Sequence, residues 1–144
     1  MLKNIDLIIK NARVARLATV DSENKPHLVP VVFIFDGNNY YIPLDKKTKK
    51  KTTVKLKRVK NIQQNPNVAL LIDEYYEDWD NLSFVMIKGK ASLIDIRKCE
   101  RYDEALKKAQ QLLYAKYHQY HKIGMGYYCI KINPEKIASW KMNE

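Results

Sequence analysis

Residues 13–44 read RVARLATV, DSENKP, HLVPVVFIF, DGNN, YYIPL, and this stretch decides the fold. Arg13–Val20 is rich in β-branched and small apolar residues and reads as a strand. Asp21–Pro26 collects the residue types that turn a chain, because Asp and Asn side chains bond their own backbone and Pro pre-sets φ. His27–Phe35 is a second strand, dense in Val, Ile and Phe. Asp36-Gly37-Asn38-Asn39 is a hairpin signal, since such turns need residues that tolerate positive φ. Tyr40–Leu44 is then the third strand. Three antiparallel strands in immediate succession predict a meander or a barrel.

Working outward, Leu2, Ile5, Ile8 and Ile9 recur near helical spacing, so residues 2–11 read as a short opening helix. After the third strand comes Lys46–Lys60, KKTKKKTTVKLKRVK, without one acidic residue. Its second half is predicted helical over Thr52–Asn65, with Leu56, Val59 and Ile62 on an inward face and Lys57 and Asn61 opposite. Asn65-Pro66-Asn67 stops that helix. Val68–Asp73 is a fourth strand, Glu74–Asn81 an acidic, aromatic loop, and Leu82–Ile94 a fifth strand that Gly89 marks for a bulge or bend. A helix is predicted over Arg97–Tyr117, its stripe formed by Ala105, Leu106, Ala109, Leu112 and Leu113. Tyr127–Ile132 is a sixth strand, Asn133-Pro134 a turn, and Lys136–Trp140 closes the sheet. The order predicts one domain, 1–144: mainly β, α+β in class, a six- to seven-stranded antiparallel split β-barrel with accessory helices.

Composition narrows the function classes. The chain has 144 residues, 46% hydrophobic and 29% charged, which suits one ordinary globular core. No apolar run approaches the roughly 18 to 20 residues that cross a bilayer, and the first residues lack a signal-peptide pattern, so a cytoplasmic protein with no membrane partner is expected. Cys99 and Cys129 stand far apart with no metal-ligand spacing, and read as two reduced thiols. His118 and His121 read as a solvated helix end, and no metal site is expected. No Walker or Gly-x-Gly-x-x-Gly loop is present, and four glycines leave little room for one. The net charge of +10, concentrated in the 46–60 block, points to phosphate, on a cofactor or on nucleic acid.

Ala12–Val20 followed by Lys25–Val31 resembles the opening of the pyridoxamine 5′-phosphate oxidase-like superfamily of FMN-binding split barrels. Lys57–Ile62, Asn65–Leu70 and Asp78-Trp79 continue the likeness in order, from about Asn11 to Trp140. The nearest likeness is to the short coenzyme F-420-dependent (deazaflavin) branch. The resemblance implies a homodimer with two cofactor sites at the subunit interface, binding FMN or F-420. It implies that the first strand lies along the ring, through Arg16, Leu17, Ala18 and Thr19. It also places the phosphate at Lys57 and Arg58, with Lys49 and Asn61 as helpers and Trp79 or Trp140 closing the site. Two departures stand out. The oxidases' Ser-Arg-Lys phosphate motif reads Leu56-Lys57-Arg58 here, and their arginine-rich C-terminal signature is replaced by Ile137-Ala138-Ser139-Trp140-Lys141. Both argue against pyridoxamine phosphate as the substrate.

The implied chemistry is that of an oxidoreductase moving hydride to or from a small molecule. The cofactor ring carries that reaction, so no catalytic triad is required and no catalytic residue is identified. A phosphate needs charge-assisted donors, which Lys57 and Arg58 supply. Other readings compete. Arg16 has Asp73 or Asp45 as possible ion-pair partners, Thr19 can be a plain strand residue, and the two tryptophans can pack at a dimer interface. A cofactor carrier without turnover would need the same phosphate site. A small basic barrel with ten tyrosines could instead stack single-stranded nucleic acid, although its basic and aromatic residues fall mainly in different segments. A haem-linked role, known in relatives of this fold, finds no persuasive axial ligand in the sequence.

Overall fold

A computed structural model describes residues 2–45, 56–95 and 103–142. Among these residues seven strands form one antiparallel sheet: β1 Ala15–Val20, β2 Pro26–Val31, β3 Ile34–Phe35, β4 Tyr40–Pro43, β5 Asn67–Glu74, β6 Ser83–Asp95 and β7 Tyr128–Lys141. Four helices accompany them among the described residues: α1 Leu2–Asn11, α2 Lys57–Gln64, α3 Glu104–Lys116 and α4 Tyr120–Ile123. The spatial order of the strands is β2-β1-β5-β6-β7-β4-β3.

That order dictates a curl. β2 and β3 lie at opposite edges of the sheet, yet only Val32 and Phe33 separate them in sequence. Three extended peptide steps reach about 11 Å, so the sheet must bend until its edges nearly meet. The result is a half-barrel with a split. His27–Phe35 is therefore two strands and not the single one expected. At the break, the Phe33 carbonyl accepts from Lys116 Nζ at 3.0 Å and from the Tyr117 hydroxyl at 3.2 Å. The Phe33 N–H donates to the same hydroxyl. The C-terminal end of α3 thus satisfies backbone groups that no ladder reaches.

Inside the curl, Leu17, Leu70, Ile72, Val85, Ile87, Ile130 and Ile132 are fully buried, and α1 and α2 plug the core with Ile9, Val59 and Ile62. A second core lies between β3–β4 and α3, built from Ile34, Tyr41, Leu106, Ala109, Leu113 and Cys129. β4 is buried along its whole length because it faces both cores. Cys99 lies outside the described residues.

The turns follow the sequence chemistry. Asp36 Oδ1 accepts from the N–H groups of Asn38 and Asn39 at 2.8 Å, with Gly37 at φ +103°. The predicted bulge sits at Lys88/Gly89, where a Cβ on Gly89 would lie 2.2 Å from the Asn133 carbonyl oxygen. Asn133-Pro134 does not turn the chain as expected. It continues as β7 opposite Lys90 and Gly89, so one 14-residue strand replaces the two predicted ones. The bulge takes up the register change that proline would otherwise force. Among the described residues, no helix is long and apolar enough to cross a membrane.

Candidate functional site

β1 is an interior strand. Arg16, Leu17 and Ala18 pair with β2 on one side and β5 on the other. Their backbone groups therefore face strands on both flanks, and what each offers a ligand depends mainly on its side chain. Strand alternation settles that. Leu17 points into the core and is fully buried. Arg16 and Ala18 point to the outer face, where Arg16 is held by Asp73 at 3.1 Å. Both partners are about 40% exposed, so this pair is worth at most about 1 kcal/mol. One of the two competing readings of Arg16 is thus realised.

Beyond Ala18, β1 pairs only with β2. α2 approaches β1 there, against its last turn of strand. Thr19 is fully buried, and its Oγ1 accepts from Asn61 Nδ2 at 2.9 Å. Asn61 was expected on the outward face of the helix with Lys57. It is instead 1% exposed, beside Val59 and Ile62. A buried amide requires a partner, and the Thr19 hydroxyl supplies it, which turns the helix inward at this position.

Lys57 stays outside. Its Nζ lies 3.4 Å from Asp21 Oδ2. Asp21 belongs to the turn after β1, where its other oxygen accepts from the N–H groups of Glu23 and Lys25. The Lys25 N–H above all, with Glu23 and Lys57 behind it, holds this carboxyl below the usual range. Arg58 lies one helical step further round. It is half-buried, and its Nε is sealed from solvent with no hydrogen-bond partner among the described residues. Burial lowers its pKa while the charge of Asp45 opposes the shift. Asp45 also accepts from the Tyr120 hydroxyl at 3.4 Å. The basic pair therefore diverges, with Lys57 toward the β1 turn and Arg58 toward the end of β4.

Lys49 lies outside the described residues. Trp79 stands 60% exposed on a 3₁₀ turn after β5, its Nε1 donating to the Tyr75 hydroxyl. Its hydrogen bond thus ties it to the loop after β5 and to none of Thr19, Lys57, Arg58 or Asn61. Trp140 stacks on Phe84 across β6 and β7, with centroids 6.0 Å apart. His118 and His121 are exposed at the start of α4, and His121 Nε2 lies 3.1 Å from the Tyr114 carbonyl oxygen. Sequence reasoning missed Asp21 as the partner of Lys57, and named Asp45 only as a possible partner of Arg16, not of Arg58. Asp21 carried only a turn signal, and Asp45 sits at the edge of the basic block, where nothing local ties it to Arg58.

The outer face of the sheet carries a further feature. Pro30, Arg16, Leu71, Met86 and Ala138 form one continuous cross-strand row through five strands. Leu28 beside it is 65% exposed and Trp140 42%. The row is apolar except at Arg16, which pairs with Asp73.

Among solved structures, a conserved hypothetical protein of Mycobacterium tuberculosis, Rv2991, is 18% identical and superposes with a TM-score of 0.72. It covers 99% of this chain and 85% of its own. The heme storage protein HutZ from Vibrio cholerae is 14% identical, with a TM-score of 0.70 and coverage of 96% and 92%. A FAD-binding protein from Mesorhizobium loti is 18% identical, with a TM-score of 0.66 and coverage of 96% and 90%. At these identities the likeness is one of fold. No curated protein matches the chain. The family model described as pyridoxamine 5′-phosphate oxidase matches residues 1–141, almost the full length. On that match the chain belongs to the pyridoxamine 5′-phosphate oxidase family.

Proposed function

We propose that the protein binds a flavin-type cofactor, FMN or coenzyme F-420, by its phosphate tail, and uses it to move hydride to or from a small molecule. The observation that carries this reading is Arg58, whose guanidinium is half-buried with its Nε unpartnered among the described residues. A desolvated cationic donor without an acceptor is costly, and a phosphate oxygen would relieve it. Lys57, on the same turn of α2, would leave its exposed pairing with Asp21 for a stronger anion. Asn61 and Thr19 fix the helix against β1 at the position where the ring and tail would meet. The cofactor supplies the hydride chemistry, and the chain's own residues bind and orient it.

The departures at Leu56 and at Ile137–Lys141 favour a substrate other than pyridoxamine phosphate. A second copy of the chain would cover the row Pro30-Arg16-Leu71-Met86-Ala138, apolar but for Arg16, and wall the cofactor in from the other side. The test is a side-by-side titration with FMN and F-420, following quenching of each cofactor's fluorescence, on the wild type and on the Lys57→Ala/Arg58→Ala variant. The wild type is expected to bind one of them and the variant to lose it while keeping its melting profile. Unchanged affinity in the folded variant sinks the phosphate assignment.

A further inference from the structure

A cavity of about 630 Å³ opens between α1, β3 with its turn, and the last turns of α3. Its volume is in the range of small-molecule sites. Ile9, Ile34, Phe35 and Leu112 form an apolar floor, while Lys10 and Lys116 stand as cations at its walls and Asp6 is the one carboxylate. Lys116 Nζ lies 4.0 Å from the centroid of the Phe33 ring and gives one hydrogen bond to the Phe33 carbonyl. An ammonium has three donors, and among the described residues no carboxylate pairs with Lys116 or Lys10.

We infer that this cavity is a second ligand site, taking a small monocarboxylate with an apolar body, its carboxylate on Lys116 and its body on the Ile9–Phe35–Leu112 floor. Charge decides the class. Two cations against one carboxylate leave the cavity net positive, so an anion is favoured and a cation repelled. Desolvation of Lys116 strengthens the preference, because a half-buried ammonium gains more from a counter-charge than an exposed one does. Burial, with the charge of Arg13 behind it, already pushes Lys116 down to about 8. The apolar floor sets the second requirement, since a bare inorganic anion would leave Phe35 and Leu112 facing water. Nothing in this assignment uses Lys57, Arg58, Asn61 or Thr19, so it stands or falls independently of the flavin reading.

The experiment is calorimetric titration of the full chain with octanoate and with octanamide, its uncharged counterpart of the same length. Two variants accompany the wild type: Lys116→Met, which keeps the stem and removes the charge, and Leu112→Trp, which fills the cavity. Octanoate is expected to bind the wild type at least tenfold more tightly than octanamide. Lys116→Met should erase that preference, and Leu112→Trp should lose both ligands. Circular dichroism melts establish that each variant is folded, and FMN titration should be the same in all three. Absence of octanoate binding to the folded wild type overturns the inference. So does equal binding of octanamide, or octanoate affinity retained in both variants.

Discussion

Replacing Thr19 by Val removes one hydroxyl from a fully buried position and leaves the shape nearly unchanged. The Asn61 amide then keeps its place beside Val59 and Ile62 but loses the 2.9 Å acceptor it donates to. A buried donor left without a partner costs about 1–3 kcal/mol. For a domain of this size, each kcal/mol moves the midpoint by about 2–4 °C, so Thr19→Val should melt roughly 2–12 °C below the wild type. The partner change, Asn61→Leu, removes the donor instead and should cost about 1 kcal/mol, because the Thr19 hydroxyl loses one accepted hydrogen bond while its own O–H is untouched. In the double variant both polar groups are gone from an apolar site of similar volume, and much of the loss should be recovered. The coupling between the two sites should therefore be about 1–2 kcal/mol, read by urea titration and thermal melts of all four proteins. A Thr19→Val protein within about 0.5 kcal/mol of the wild type, or strictly additive single effects, would refute the claim that this pair pins α2 to β1.

Three further outcomes follow from other parts of the fold. Gly89→Ala places a methyl 2.2 Å from the Asn133 carbonyl; it should cost about 3 kcal/mol, and a melt indistinguishable from wild type would mean the bulge is not where the sheet turns. Asp103 caps α3 by accepting from the Leu106 N–H at 3.1 Å, so Asp103→Ala should lose about 1 kcal/mol by urea denaturation, and Asp103→Asn much less. Lys116 carries a folded pKa of about 8 against an ordinary 10.5. Between those values the unfolded chain holds a proton the native state has shed, so stability should rise with pH from about 8. Tyr40, Tyr41, Tyr117 and Tyr120 are raised, chiefly by burial, and their contribution is lost above about 10, so the rise should end there. Melts of Lys116→Met across this range should lack the rise; an identical profile would assign it to another group.

Much of the fold was legible because its signals are local. Asp36-Gly37-Asn38-Asn39 contains everything a hairpin turn needs, Asn65-Pro66-Asn67 ends α2 as its chemistry requires, and Gly89 marks the bulge that β6 forms. The misreadings are all non-local. Nothing within Val32-Phe33 says that the strand breaks there; the break is set by the strand order and sealed by Lys116 and Tyr117, more than 80 positions away. Asn133-Pro134 has turn composition, but its register against Lys90 and Gly89 keeps it in the sheet. Asn61 looked outward on a helical wheel because an amide counts as polar, whereas a buried hydroxyl on β1 was waiting for it. The candidate site divides the same way. Lys57 and Arg58 were visible as a basic pair, but their divergence toward Asp21 and Asp45 arises only in three dimensions, and so does the cavity beside Lys116.

The claim that most needs testing is that α2 recognises a phosphate. The direct measurement compares FMN with riboflavin, and F-420 with its phosphate-free deazaflavin chromophore, by fluorescence titration of the folded wild type. The ring is identical within each pair, so the difference isolates the phosphate-bearing tail. Two charge-assisted contacts at about 1.5 kcal/mol each predict that removing it weakens binding by about a hundredfold. Equal affinity with and without the phosphate, or no binding of either member of both pairs, would contradict the account.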